Sequence, residues 1–140
     1  MGRKYLERAM TECFWQTECN GAFVQEYPLT KKGIDRARRC ADAVILPNEE
    51  HHRATSAKFP SLADRNVVVV QTKTQRLGMY LMGQALFSAR LVQALGARSV
   101  RSILLCAEND AAMFPLLAPF PELEVWVTDS LAPRTCRRAG

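Results

Sequence analysis

The spacing of apolar residues divides the chain into helices and strands. Near the N-terminus, Leu6, Met10 and Phe14 recur at helical spacing, which predicts an amphipathic helix that ends at the turn Asn20-Gly21. Elsewhere, short apolar runs bounded by Pro, Gly and polar residues predict strands. We therefore expect helices over residues 4–18 and 79–95, and strands over residues 22–29, 38–46, 66–75, 100–106 and 124–127.

The order of these elements predicts the fold class. Three strands in succession can form a meander, whereas the strand after the second helix must be reached by a crossover. The four valines at 67–70 predict a strand that is buried on both faces. We expect one α/β domain over residues 1–140, with a mixed β-sheet and an αβββαβ core flanked by helices. The core spans about residues 5–106, followed by a C-terminal extension at 107–130 and a basic tail at 131–140.

The charge distribution favours a polyanionic partner. The chain carries 19 Lys and Arg against 14 Asp and Glu, a net charge of +5. Five of these cations fall within residues 31–39, the basic turn, where only Asp35 opposes them. We expect the basic turn to contact nucleic-acid phosphates through Lys31, Lys32, Arg36, Arg38 and Arg39. The alternative is a solvated surface turn without a partner.

The cysteines and the apolar runs bear on the compartment. The five cysteines are odd in number and include no C-x-x-C pair, which does not favour a zinc site. The N-terminus has no apolar signal core, and every uncharged run is well short of the roughly 20 residues that span a bilayer. We expect a cytoplasmic protein that makes no membrane contact.

The candidate chemistry lies in two predicted strands. Side chains alternate along a strand, so Gln71 and Lys73 share one face of the third strand. Asp42 belongs to the second strand, where an unpaired carboxylate among apolar residues would be costly. If the two strands are neighbours, a carboxylate, an amide carbonyl and an ammonium group converge on one spot. Such a group suits a hard divalent cation and a phosphodiester.

In order and spacing these residues resemble the PD-(D/E)xK nuclease superfamily, which has the restriction-endonuclease-like fold. Members of that superfamily carry a Glu on the first helix, an Asp on the second strand, and a Glu, Asp or Gln two residues before a Lys on the third. The segment VQEYPL at 24–29 also resembles the first strand of the endonuclease subunits of some transposases, which share the Gln-x-Lys variant. Two positions depart from the pattern: Ala41 replaces the Pro before Asp42, and Gln71 replaces the commoner acid.

The resemblance implies a metal-dependent nuclease that hydrolyses phosphodiester bonds in DNA, with RNA as the second possibility. It implies Mg²⁺ or Mn²⁺ as the cofactor, held by Glu7, Asp42 and Gln71, with Lys73 completing the catalytic set. Glu12 is the second choice on the first helix. Because a neutral Gln weakens the hold on a metal, the alternative is a catalytically weak nuclease-like fold that serves as a nucleic-acid-binding or protein-interaction subunit.

The predicted second helix adds a supporting residue to this resemblance. In RecB-like branches of the superfamily, a glutamine followed by an aromatic residue lies on this helix and supports the site, and Gln84 with Phe87 is similar. The alternative for Gln84 is a buried amide at a helix interface.

The same helix bears on assembly. It has no charged residue over 79–89, which predicts burial on every side. The sheet covers one side only. We therefore expect the face with Met79, Met82 and Leu86 to pack in a homodimer or against a partner subunit, unless the C-terminal segment at 114–120 covers it.

Overall fold

The computed structural model describes residues 2–54, 59–129 and 131–140. Within these residues the strands are β1 (Ala22–Thr30), β2 (Arg39–Leu46), β3 (His52–Arg53), β4 (Asn66–Thr72), β5 (Ser99–Cys106), β6 (Leu123–Thr128) and β7 (Cys136–Arg138). The helices are α1 (Arg3–Glu18), α2 (Met79–Ala94) and a short 3-10 helix (Phe114–Leu117). Neither α-helix of the described residues is long and apolar enough to cross a membrane.

All the strands join one mixed sheet in the order β3-β1-β2-β4-β5-β6-β7. Strands β1, β2 and β4 form an antiparallel meander, and β4, β5 and β6 are parallel. Helix α2 makes the crossover from β4 to β5. The predicted α/β class, meander and crossover are confirmed. Strands β3 and β7 were not predicted, because each is only two or three residues long and is defined by backbone pairing with its neighbour.

The two helices lie on opposite faces of the sheet. On one face, Phe14 of α1 packs in a cluster with Val68. On the other face, Val92 of α2 packs in a cluster with Val69. The valines at 67–70 are all buried, so β4 is covered on both sides as its composition predicts.

The sheet forks between β2 and β4. The pairing of these two strands ends at Ala43 and Val70. Beyond that point β2 continues alongside β1 to Arg39, while β4 continues alongside β5 to Thr72. Asp42 is therefore the first residue of β2 inside the fork.

Part of the outer surface of α2 is covered from within the chain. Met82 and Leu86 are half-buried and pack against the same buried cluster as Phe114 and Phe120 of the C-terminal segment. Met79 stays exposed. The C-terminal segment thus contributes to covering the surface of α2 for which a partner was expected. The homodimer through α2 stays a prediction, and it now concerns the surface around Met79 and not the whole face with Met79, Met82 and Leu86.

Replacing Phe14 by Ala tests the placement of α1, the helix that carries Glu7. Phe14 is fully buried and meets the ring of Trp126 edge-on at 5.2 Å between centroids. We expect its loss to lower the free energy of unfolding by about 3–5 kcal/mol. Urea denaturation measures this change. The control Tyr5→Ala, at an exposed position of the same helix, should stay within about 0.5 kcal/mol of the parent. Equal effects of the two changes would contradict the placement.

Candidate active site

The carboxylate of Asp42 bridges the fork of the sheet. Its Oδ2 accepts a hydrogen bond from the backbone N–H of Thr72, at 2.7 Å. Asp42 belongs to the β1–β2 side of the fork and Thr72 to the β4–β5 side. One side-chain hydrogen bond therefore continues the link between the strands after their backbone pairing has ended.

Asp42 lines a narrow cleft beneath α1. This α1 cleft has a volume of about 20 Å³ and is lined by Lys4, Glu7, Arg8, Thr11, Gln25, Glu26 and Asp42. That volume is close to the smallest that admits one water molecule. Glu7 and Asp42, two of the predicted site residues, therefore border the same small space.

A pair of hydroxyl groups helps to hold α1 over the cleft. Thr11 Oγ1 and Thr72 Oγ1 are 2.8 Å apart, and both residues are buried. Thr11 also donates to the backbone carbonyl of Glu7 at 2.7 Å. The two threonines place Glu7 one helical turn away from the contact with β4. Sequence reasoning missed both, since a single threonine on a helix carries no signal of its partner.

The environment of Asp42 opposes its ionisation. The pKa of the carboxyl is raised from 3.8 to about 6, and burial is the main cause. The nearby carboxylates of Glu7 and Glu26 contribute to this rise. The hydrogen bond from Thr72 and the ammonium group of Lys73 act in the opposite direction. A bound cation would reverse the balance, because it favours the ionised form.

Glu26 is a third carboxylate of the α1 cleft that sequence reasoning did not assign to the site. Its backbone has φ of 50°, which is uncommon for a non-glycine residue. Its Oε1 accepts a hydrogen bond from Arg8 at 3.1 Å and lies 3.4 Å from the amine of Lys4. The Arg8 hydrogen bond is the main cause that holds the pKa of Glu26 below its ordinary value. Glu26 lies within VQEYPL, so the only signal was the resemblance of that segment.

Lys73 follows the last residue of β4. Its backbone N–H donates to Leu105 of β5 at 2.9 Å, which continues the direction of the strand. Its ammonium nitrogen lies 4.8 Å from the centre of the Tyr80 ring, a cation–π contact with α2. Lys73 is also one of the charges that act on Asp42.

Gln71 does not share the cleft of Asp42. Only 4% of its surface is exposed, and its amide donates to Ser88 Oγ of α2 at 2.7 Å. It therefore lies on the α2 face of the sheet, and the expected convergence of Asp42 and Gln71 on one spot is not found. The physical reason is a break in alternation. Ala41 and Val44, three residues apart, both pack on the α2 face, so the intervening Asp42 departs from the regular pattern.

Two supporting candidates are placed away from the α1 cleft. Glu12 pairs with Arg53 at 2.7 Å, beside β3. Gln84 is half-buried and lines an open cavity on the α2 face together with Gln71 and Phe87. Of the two helix candidates, the structure places Glu7 next to Asp42.

The basic turn is exposed along its whole length. Arg36 pairs with Asp35 at 3.3 Å. Arg38 lines a shallow cavity with Arg8 and Glu26, and Arg39 lines the cavity on the α2 face. The turn therefore borders cavities on both faces of the sheet.

The carboxylates of the cleft fit a magnesium ion in part. Among residues 2–54, 59–129 and 131–140, no three His, Cys, Asp or Glu side chains gather closely enough to hold an ion. Mg²⁺ commonly keeps several waters and uses one or two protein carboxylates with substrate phosphates. Glu7 and Asp42 supply two carboxylates to the cleft, whereas Gln71 is engaged with Ser88 on the other face.

The raised pKa of Asp42 predicts a pH-dependent cost to stability. Between about pH 4 and 6 the native protein holds a proton that the unfolded chain has released, so stability falls as the pH rises. Asp42→Asn keeps an acceptor for Thr72 without the charge. In EDTA we expect it to raise the free energy of unfolding at pH 8 by up to about 3 kcal/mol, and to change it little at pH 4.5.

The control for this experiment is Glu26→Gln. The pKa of Glu26 is lowered, so its charge contributes stability above pH 5 that is lost as the pH falls. Removal of this charge by Glu26→Gln should not raise the free energy of unfolding at pH 8. Urea denaturation at both pH values measures the two variants. An Asp42→Asn protein that is less stable than the parent at pH 8 would contradict the assignment.

Comparison with known proteins gives no match: no family model matches the sequence, and neither a curated protein nor a solved structure matches the chain significantly. The resemblance to the PD-(D/E)xK superfamily therefore rests on the residues of this chain alone.

Proposed function

We propose that the protein is a metal-dependent nuclease that hydrolyses phosphodiester bonds in DNA. The observation that carries the proposal is the buried carboxylate of Asp42 at the fork of the sheet, with Glu7 in the same cleft. The mixed sheet, with its meander and its crossover helix, is compatible with the restriction-endonuclease-like core that the resemblance implies, and it supports the same proposal.

Asp42 and Glu7 would hold Mg²⁺ or Mn²⁺. When bound, the ion would polarise the scissile phosphate and lower the pKa of an attacking water. The hydrogen bond from Thr72 orients the Asp42 carboxylate, and the α1 cleft would have to widen from about 20 Å³ to admit the ion with its waters and the phosphate. Gln71 enters this proposal as a contact between β4 and α2, and not as a ligand.

Lys73 would act on the phosphate. Its ammonium group is close enough to Asp42 to influence the ionisation of that carboxyl. A cation in this position stabilises the negative charge that develops on phosphorus, and it orients the attacking water. The contact with Tyr80 holds the long lysine side chain beside the fork.

The DNA backbone would follow the basic turn. The turn is exposed, and Arg38 and Arg39 line cavities on the two faces of the sheet. Phosphate contacts of this kind position a substrate without reading its sequence. We therefore propose cleavage that depends weakly on sequence.

A second candidate is a nuclease-like fold that binds nucleic acid or a partner protein without cleaving it. The observation that favours it is the hydrogen bond of Gln71 to Ser88. Because this bond holds Gln71 away from the cleft, only Glu7 and Asp42 of the three predicted metal ligands remain there. This candidate predicts binding that ignores magnesium. The nuclease predicts cleavage that magnesium starts and EDTA stops.

The nuclease proposal predicts cleavage of supercoiled plasmid in Mg²⁺ or Mn²⁺. We expect Asp42→Ala and Lys73→Ala each to lower the rate about 100-fold or more while the proteins remain folded. Glu7→Gln should also lower the rate. Its matched control is Glu12→Gln, which removes one carboxylate from the same helix at the pair with Arg53 and should leave the rate unchanged. Circular dichroism checks the fold of each variant.

The outcomes separate the two candidates. Parent-like cleavage by both alanine variants would mean that the proposed site is wrong. A parent protein that binds DNA equally in Mg²⁺ and EDTA, and cleaves in neither, would replace the nuclease by the binding subunit.

The proposal also predicts that the basic turn contributes to DNA binding. Replacing Lys31, Lys32, Arg38 and Arg39 by Ser should weaken DNA binding and reduce the slope of log K against log salt by about 0.9 per lost phosphate contact. A charge-matched comparison uses two double variants, each of which removes two positive charges. One is Lys31→Ser with Lys32→Ser in the basic turn. The other is Arg90→Ser with Arg98→Ser, at residues that form ion pairs with Glu122 and Asp64. Fluorescence anisotropy in a salt titration measures both. If the slope of log K against log salt is the same for the two double variants, the basic turn does not contact DNA.

A further inference from the structure

A large cavity lies on the α2 face, away from the α1 cleft. This α2 cavity has a volume of about 580 Å³, within the size range of ligand-binding pockets. Its lining includes two aromatic rings and four polar side chains: Tyr80, Phe87, Arg39, Gln71, Gln84 and Ser88. Among these six, the proposed hydrolysis of DNA uses Arg39 as a phosphate contact and Tyr80 as a support for Lys73, and it gives the other four no part in binding the substrate.

The two aromatic rings stand at the surface of the cavity. Tyr80 is 71% exposed and Phe87 is 66% exposed. They are seven residues apart on α2, or about two helical turns, and so lie on the same side of the helix. Flat, exposed rings beside a cavity offer faces on which another planar group can stack, and such exposed apolar surface marks interaction sites.

The wall between the rings and the sheet contains two amides among apolar side chains. The buried amide of Gln71 donates to Ser88, and the half-buried amide of Gln84 carries donors and an acceptor. Such groups match the edges of nucleobases, which present donors and acceptors side by side. The α2 cavity therefore combines stacking faces with hydrogen-bonding partners.

A second cavity next to the first supplies positive charge. This basic cavity has a volume of about 330 Å³, shares Tyr80 with the α2 cavity, and includes Arg3, Lys73 and Arg76 in its lining. Arg76 pairs with Glu108, so Arg3 and Lys73 supply most of the positive charge. Among the described residues, no Asp or Glu lines either cavity. The surface thus places cations beside an aromatic ring, with Lys73 Nζ 4.8 Å from the centre of the Tyr80 ring.

We infer that the α2 cavity and the basic cavity together bind an unpaired stretch of nucleic acid, with bases stacked on Tyr80 and Phe87 and phosphates beside Lys73 and Arg39. This inference rests on the proposed function in taking nucleic acid as the ligand, but it concerns binding and not cleavage. A basic groove that carries aromatic stacking faces is the general design of single-strand binding sites. A second copy of this chain fits less well, because it would bring the same cations against these cations.

The experiment uses an Asp42→Ala protein in EDTA, so that no cleavage interferes. Fluorescence anisotropy measures the affinity for a dT12 oligonucleotide and for a duplex of the same length. We expect Tyr80→Ala and Phe87→Ala each to weaken dT12 binding about 5- to 100-fold, and to affect the duplex less. Tyr80→Phe keeps the stacking face and should bind dT12 as the parent does. The control is Leu116→Ala, an exposed apolar residue of the 3-10 helix outside both cavities.

A second readout detects stacking itself. An oligonucleotide with 2-aminopurine in place of one base loses fluorescence when that base stacks on an aromatic ring. We expect quenching on binding to the Asp42→Ala protein and to its Tyr80→Phe variant, and recovery with Tyr80→Ala. Binding through charge alone would leave the fluorescence unchanged in all three.

The outcomes distinguish this inference from the proposed function. Parent-like dT12 affinity in both alanine variants, or unchanged 2-aminopurine fluorescence, would overturn the inference even if Mg²⁺-dependent cleavage is found. Sedimentation that shows a dimer dispersed by Tyr80→Ala, with no dT12 preference, would assign the surface to a second copy and also overturn it. Ring-dependent dT12 binding without cleavage by the parent protein would support the inference while removing the nuclease.

Discussion

The burial of β4 on both faces is the constraint on which the rest of the structure depends. Its valines at 67–70 alternate between the α1 face and the α2 face, so each helix has an apolar surface to cover. The strand then ends in polar residues that meet three surroundings: Gln71 bonds to α2, Thr72 bonds to α1, and Lys73 leaves the sheet beside Tyr80. The site is thus the place where a fully buried strand reaches solvent.

The electrostatics of Asp42 follow from the same burial. A carboxylate at the end of apolar strands is poorly solvated, and the nearby acids Glu7 and Glu26 make its charge less favourable still. Lys73 and the Thr72 amide offset only part of this cost. A site with such a deficit favours an arriving cation, which is consistent with the metal that the proposed function requires.

The sequence predicted the elements well and the site only in part. Both helices and the longer strands are visible in the apolar spacing, because each buries a regular face. The position of Gln71 also follows from alternation along β4. Asp42 does not, since alternation in β2 breaks between Ala41 and Val44, and a sequence carries no mark of such a break. Glu26 was missed because its unusual φ is a property of the folded backbone.

The fork has a consequence for how the site is held together. Where backbone pairing ends at Ala43 and Val70, the β1–β2 hairpin and the β4–β5 pair separate. Asp42 lies on the first pair and Lys73 follows the second, and the hydrogen bond from the Thr72 N–H to Asp42 links the two pairs. The acid and the amine of the proposed site are therefore connected by a side-chain bond and not by a strand ladder, so replacing Asp42 by Ala removes a link within the sheet together with a chemical group.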